Sequence, residues 1–169
     1  MKRKTALFCL LLLLVGSIAI AAEMADVVEH GSCKYCGMYR DKFAHSRMLI
    51  SYDDGTSVGT CSIRCAAVDL ANNIDKAPVS IQVGDFSSKR LLDAEEAAWV
   101  LGGKVPGVMT SRPKWAFSGQ GDAEAFIREN GGDLVDFERA MAAAYEDLYR
   151  ETKMIRDKRK MMRMQQEKK

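Results

Sequence analysis

Apolar residues open this chain as one run, Leu7 to Val15, and then alternate with polar residues in short stretches. From about residue 137 they recur at helical spacing. The alternation predicts strands over Ser46–Tyr52 and Thr56–Thr60, joined by the turn signal Asp53-Asp54-Gly55 as a hairpin. Ser62 to Asn72 reads as a helix, with Ser62 able to cap it and Asn72-Asn73 able to end it. Val79–Val83 and Lys89–Leu92 read as strands. Asp93 is the expected cap of a helix Ala94–Leu101, stopped by Gly102-Gly103. Val105–Met109 and Trp115–Ser118 read as extended segments, Asp122–Asn130 as a helix and Leu134–Asp136 as a brief strand. A long helix follows from Phe137 to about Met164, its apolar stripe of Phe137, Met141, Ala144, Tyr145 and Leu148 fading near Tyr149. A strand-hairpin-helix order thus occurs around residues 46–83 and again around 89–136. The expected fold class is α+β: two similar small units sharing a core, with a long C-terminal helix.

The N-terminal run changes how the rest is read. Lys2, Arg3 and Lys4 precede it, and Ala19-Ile20-Ala21 supplies small residues at the −3 and −1 positions. Residues 1–22 are therefore expected to be an export signal cut after Ala21 or Ala22, with an uncleaved anchor as the alternative. Cys9 follows Phe8 rather than a small residue, so it is expected to leave with the signal. The protein is expected in the periplasm or at the outer face of the cytoplasmic membrane. Residues 23–149 would form one domain and 150–169 a basic, Met-rich helical tail.

The whole chain carries a formal charge of +2, the signal +3, the tail +6 and residues 23–149 the remaining −7. An acidic body argues against general nucleic-acid binding. The tail alone has the charge to touch an acidic partner or an anionic membrane surface.

After the signal four cysteines remain, in two tight pairs: Cys33-Lys34-Tyr35-Cys36 and Cys61-Ser62-Ile63-Arg64-Cys65. Three readings compete for the first pair: half of a metal site, a redox-active dithiol, or a structural disulfide. Gly37 follows the pair and no strand precedes it, unlike a thioredoxin-type motif. The second pair falls one helical turn apart on one face, and Cys65 would lie in a first turn whose dipole favours a thiolate. Its bland reading is two small buried apolar groups. Taken together, the pairs also fit a four-thiolate zinc site.

Met38 follows the first pair, and a thioether is a poor zinc ligand but a good Cu(I) ligand; core filling is its alternative. Met109 sits in a Gly/Pro-rich loop rather than on a helix face. His30 and His45, the only histidines, flank the first pair. No G-x-S-x-G, H-E-x-x-H or phosphate-binding glycine loop is present. The protein is not expected to be an enzyme.

The string Cys33-Lys34-Tyr35-Cys36-Gly37-Met38 resembles the C-x-Y-C-G-M signature of the NosL family. Further landmarks follow in that family's order: Val83-Gly84-Asp85-Phe86, Asp93-Ala94-Glu95-Glu96-Ala97, Met109, Ala116-Phe117, Ala123, Phe126 and Gly131-Gly132. The resemblance covers roughly residues 33–137. It implies an exported copper-binding accessory protein of α+β fold, of a kind usually tethered as a lipoprotein and associated with assembling the copper sites of nitrous-oxide reductase. The implied cargo is Cu(I), with zinc as the alternative metal. The implied partner is a copper client, such as nitrous-oxide reductase or its assembly factors. Cys33, Cys36 and Met38 become the expected core ligands, with Cys61, Cys65, Met109 and His45 as further candidates. The missing lipoprotein cysteine, the extra pair Cys61/Cys65 and the basic tail all depart from the family pattern. Thiol–disulfide exchange at Cys33/Cys36 and a zinc-stabilised binding module remain the other readings.

Overall fold

The computed structural model describes residues 25–167; the signal expected over residues 1–22 and Cys9 lie outside them. A short helix α1 (Ala25–Glu29) leads through the first cysteine pair into β1 (Met48–Tyr52), β2 (Ser57–Thr60), α2 (Ile63–Asn72), β3 (Pro78–Gly84) and β4 (Leu91–Asp93). Then come β5 (Ala98–Leu101), β6 (Lys114–Phe117), α3 (Gln120–Asn130), β7 (Asp133–Val135) and α4 (Phe137–Gln166). The strands form two antiparallel sheets, β2-β1-β3-β4 and β6-β5-β7. Each contains the same unit: a hairpin, a helix, and a third strand that returns beside the first.

The alternation in β1 turns Met48, Ile50 and Tyr52 inward. Asp54 closes the β1–β2 turn by accepting from the Thr56 N–H (2.9 Å) and hydroxyl (2.6 Å). The helix α2 packs on α4, where Ala140, Ala143 and Ala144 are buried and their small side chains permit close approach. Asp136 caps α4 by accepting from the Arg139 N–H at 2.8 Å. Ser62 stands at the N-cap of α2 in extended conformation, but its side chain makes no capping bond.

The two sheets are joined where Phe86 N–H donates to the Ala116 carbonyl at 2.8 Å, beside a parallel bridge from Asp85 to Ala116. Both buried clusters draw side chains from both units. One holds Met48, Ile50, Trp99 and Phe137; the other holds Cys33, Cys61, Cys65, Trp115, Phe117 and Phe126.

Three expectations are corrected. Ala94–Leu101 is not a helix. Asp93 does begin a turn, accepting from Glu95 N–H at 2.9 Å, and Ala97 N–H closes it at 3.1 Å on the Asp93 carbonyl. The turn stops there, and Ala98–Leu101 becomes the central strand of the second sheet. Trp99, Val100 and Leu101 are all buried, so the strand shows no alternation and its period resembles that of a buried helix. The second unit also starts later than residue 89, because β4 pairs with β3 in the first sheet. Val105–Met109 forms no strand.

Candidate metal centre

The first cysteine pair lies in a tight loop. Cys33 N–H donates to the Met38 carbonyl (2.8 Å) and Gly37 N–H to the Cys33 carbonyl (2.9 Å). Gly37 takes φ 74, a left-handed conformation that glycine adopts without steric cost, which explains its place after the second cysteine. Lys34 N–H reaches the Gly59 carbonyl at 3.3 Å and ties the loop to β2.

Asp69 ties the same loop to α2. Tyr35 donates its hydroxyl to Asp69 Oδ1 at 2.6 Å, Tyr52 donates to Oδ2, and Lys34 Nζ stands 3.5 Å away. Burial, then the Asp69 carboxylate, pushes the Tyr35 phenol up to about 12, so it remains a donor. Asp69 is one turn beyond Cys65 and fully buried. The residue that pins the loop is thus on the helix that carries the second pair.

Behind the loop, Asp26 of α1 pairs with two fully buried arginines. Arg47 grips it with both fork nitrogens at 2.8 and 2.9 Å, and Arg40 binds it at 2.7 Å. Arg40 also donates to the carbonyls of Asp26, His30, Met48 and Thr60. Burial opposes the Asp26 charge, but the hydrogen bonds and charges of Arg47 and Arg40 outweigh it and lower its pKa. Gly59 makes room for this: a Cβ there would lie 2.8 Å from the Arg40 guanidinium carbon and 2.4 Å from the His30 Cβ.

The loop and the β2–α2 junction bring all four thiols together, their sulfurs within 4.8 Å of one another. Cys36 Sγ lies 3.4 Å from Cys61 Sγ, and Cys61 Sγ 3.8 Å from Cys65 Sγ. All four are free. Cys33, Cys61 and Cys65 are buried, while Cys36 is half-buried at the edge. Ser46 holds the Cys61 carbonyl at 2.9 Å.

The thiols share their protons unequally. Hydrogen bonds from Cys61 and Cys65, helped by the Cys36 and Tyr35 backbone, push the Cys33 thiol far down. Donating to Cys33 pushes Cys61 up to about 12. Cys65 rises as well, from its bonds to Cys33 and Cys61 and from burial. This reverses the expectation that the first turn of α2 makes Cys65 the thiolate. Within the group the Cys33 pKa falls while those of Cys61 and Cys65 rise.

The other candidates are spread out. Met38 packs against the cluster that contains Cys33, Cys61 and Cys65. Met109 is 39% exposed at φ 60, next to Val108, which is buried in that cluster. His45 is not among the clustered ligand atoms. Its ring lies 5.4 Å from Trp115 and 5.9 Å from Phe86, centroid to centroid, and burial, then the Lys89 charge, lowers its pKa. His30 Nε2 bonds the Ser57 hydroxyl at 2.8 Å. Phe86 of the β3–β4 connection joins Phe117 and Phe126 of the second unit to wall the site, their ring centroids 4.9 to 5.5 Å apart.

A model of the NosL family matches residues 24–144. The chain belongs to the NosL family. Among solved structures, this NosL-family chain is similar to the copper chaperone NosL from Shewanella denitrificans. The two share 25% identity and a TM-score of 0.51, covering 63% of this chain and 87% of that one. No curated protein matches the sequence.

Sequence reasoning missed Asp69, which sets the loop against α2, and Asp26, Arg40 and Arg47, which pack behind it. The signal was weak: an arginine or aspartate between apolar residues reads as solvated until its partner is known.

Proposed function

We propose that this protein is an exported Cu(I) chaperone rather than an enzyme. It holds the ion on the four thiols and passes it to a copper client, with nitrous-oxide reductase or its assembly factors as the partner the family resemblance implies. The observation that carries the reading is the meeting of Cys33, Cys36, Cys61 and Cys65 within 4.8 Å. Soft thiolates select Cu(I) or zinc over hard cations. Membership of the NosL family and the likeness to a copper chaperone favour copper.

Chemically, Cys33 supplies the first thiolate and the remaining thiols lose their protons as the ion binds. Cys36 at the edge is the ligand an incoming client thiol or thioether reaches first. Met38 offers a thioether beside the thiols, while Met109 and His45 would join only after a local movement. Release by stepwise ligand exchange needs such an exposed edge. Export, with cleavage near Ala21 or Ala22, places the site where a periplasmic client folds.

Anaerobic titration of the reduced protein with Cu(I), against a competing chelator, tests this. We expect stoichiometric binding that is lost in Cys33→Ser/Cys36→Ser. No binding, or binding unchanged in that variant, overturns the reading.

The sulfur spacing supports a second reading. Tetrahedral zinc with Zn–S of about 2.3 Å places sulfurs roughly 3.8 Å apart, close to the Cys61–Cys65 separation of 3.8 Å. A zinc-stabilised module would unfold with a zinc chelator, whereas a chaperone folded without metal would keep its melting curve. The redox reading has less support, because Cys33 and Cys36 sit in a closed loop and do not open a helix.

A further inference from the structure

The last turns of α4 leave the body of the protein. Every residue from Thr152 to Glu167 is exposed. The segment to Gln166 extends about 22 Å at roughly 1.5 Å per residue. Its side chains are sorted by type around the helix. At about 100° per residue, Met154, Ile155, Met161, Met162 and Met164 fall within an arc of roughly 180°. Lys153, Arg156, Arg159, Lys160 and Arg163 fall within the opposite arc of roughly 120°. Lys153 and Lys160 border the apolar arc on one side and Arg159 on the other. Lys158, Asp157 and Gln165 lie inside it: the long aliphatic stem of Lys158 can bury while its ammonium reaches out, and Asp157, near the edge of the arc, pairs with the bordering Lys153 at 2.8 Å.

The five apolar side chains are 45 to 63% exposed, so this stripe has no partner within the chain. Among the described residues no helix is long and apolar enough to cross a membrane. A cationic helix with a methionine-rich face instead fits the plane of a bilayer interface.

We propose that residues 152–166 form a docking helix for an anionic phospholipid surface, with the methionine face in the acyl boundary and the bordering lysines and arginines on the headgroups. Charge complementarity selects this occupant. The tail is +6 and the rest of the mature chain −7, so an anionic surface attracts the tail and repels the body. The protein would stand off the membrane on its helix, leaving the body free. A second copy pairing tail to tail would set like charges side by side. A second copy's acidic body, or a nucleic acid, would use the charge and leave the methionine face in water. A methionine site for Cu(I) along this stripe is disfavoured by the surrounding cations.

The test uses metal-free chain from Glu23 onward, which contains every described residue and lacks the apolar leader. Its outcome is therefore independent of the copper reading. Flotation compares vesicles of phosphatidylglycerol mixed into phosphatidylcholine with phosphatidylcholine alone, at low and high salt. We expect binding only to the anionic vesicles, weakened by salt. Lys153→Gln/Arg159→Gln/Lys160→Gln should lower partitioning about a hundredfold, roughly fivefold per charge removed. Ile155→Gln/Met161→Gln/Met162→Gln should lower it at least about tenfold with the charge intact. Equal binding to both vesicle types, no vesicle binding, or an apolar variant that binds like the parent overturns the proposal. So does salt-sensitive self-association by sedimentation without vesicle binding, which would assign the tail to a second copy.

Discussion

The two halves repeat one topology and spend it differently. In the first, β2 runs into α2 through Cys61-Ser62, with Cys65 one turn further on. In the second, β6 runs into α3 through Ser118-Gly119, and neither the junction nor α3 carries a cysteine. Neither helix has a side-chain cap. The first junction faces the cysteine loop and is armed with sulfur. The equivalent region of the second supplies Phe117, Ala123 and Phe126 to the same cluster and acts as an apolar wall. One half provides the thiols and the other packs apolar side chains against them.

Each half also buries an acid between cations, and the difference predicts the largest effect. Asp26 sits between Arg40 and Arg47, both 0% exposed in their side chains. Asp147 of α4 binds Lys114 at 2.7 Å and the half-buried Arg112 at 3.0 Å. An arginine cannot shed its charge when its partner is lost, whereas a buried lysine can. Asp26→Asn should therefore cost about 3–5 kcal/mol, and Asp147→Asn about 1–3 kcal/mol, in urea unfolding near neutral pH. Equal losses would erase the distinction. The Asp26 pKa is depressed by folding, so its contribution is complete above the ordinary carboxylate pKa of about 3.9. It is lost as pH falls through the lowered native value. The gap between parent and Asp26→Asn should narrow below about pH 4.

Next in size is a crossed pair of losses. Phe126→Ala opens the wall and should cost about 3 kcal/mol or more, yet leave Cu(I) stoichiometry unchanged. Cys61→Ala/Cys65→Ala removes two groups scarcely larger than alanine and should cost less stability, about 1–2 kcal/mol. Its Cu(I) affinity should drop by orders of magnitude in competition titration. If Phe126→Ala alone abolishes binding while the fold persists, the wall is part of the site and the division between halves fails.

Legibility in the sequence followed the same division. α3 and α4 could be read because each has one buried face and one wet one, and the hairpin 48–60 and α2 because turn residues mark their ends. β5 was read as helix because both its faces are buried and no period survives. The thiols were legible by spacing, and the resemblance to the NosL family ordered the landmarks around them. What spacing could not give was which thiol takes the charge. That depends on Cys61 and Cys65 converging on Cys33, a contact between segments nearly thirty residues apart. Asp69 was equally hidden, since its partners Tyr35 and Tyr52 come from two other segments.

A smaller effect tests the electrostatics of the thiol group. With the Cys33 pKa lowered and Cys61 pushed up to about 12, metal-free protein should react with an alkylating reagent far less at the buried Cys61 than at the half-buried Cys36. Cys36, at the open edge, should be modified first when peptides are mapped by mass. Preferential modification of Cys65 would restore the helix-dipole expectation and contradict the geometry.

The smallest expected effect lies at the boundary between body and tail. Charge and the fading apolar stripe placed that boundary near Arg150. Glu151, however, still belongs to the body: it binds the Arg64 guanidinium of α2 at 3.1 Å and accepts from the Ser111 N–H at 3.1 Å. The first contact ties α4 to the helix carrying Cys65, and the second ties it to the loop that carries Met109. Beyond Glu151 every described residue is exposed. Truncation after Thr152 should leave the melting temperature and the Cu(I) stoichiometry unchanged, because no buried group is lost. Truncation after Arg150 should cost about 1 kcal/mol more, the worth of a partly buried ion pair with one charged hydrogen bond. Glu151→Gln in the full-length chain should reproduce most of that loss. Equal melting curves for the two truncations would put the boundary back at Arg150, and a large loss from the shorter deletion would mean that the exposed turns are held by the body after all.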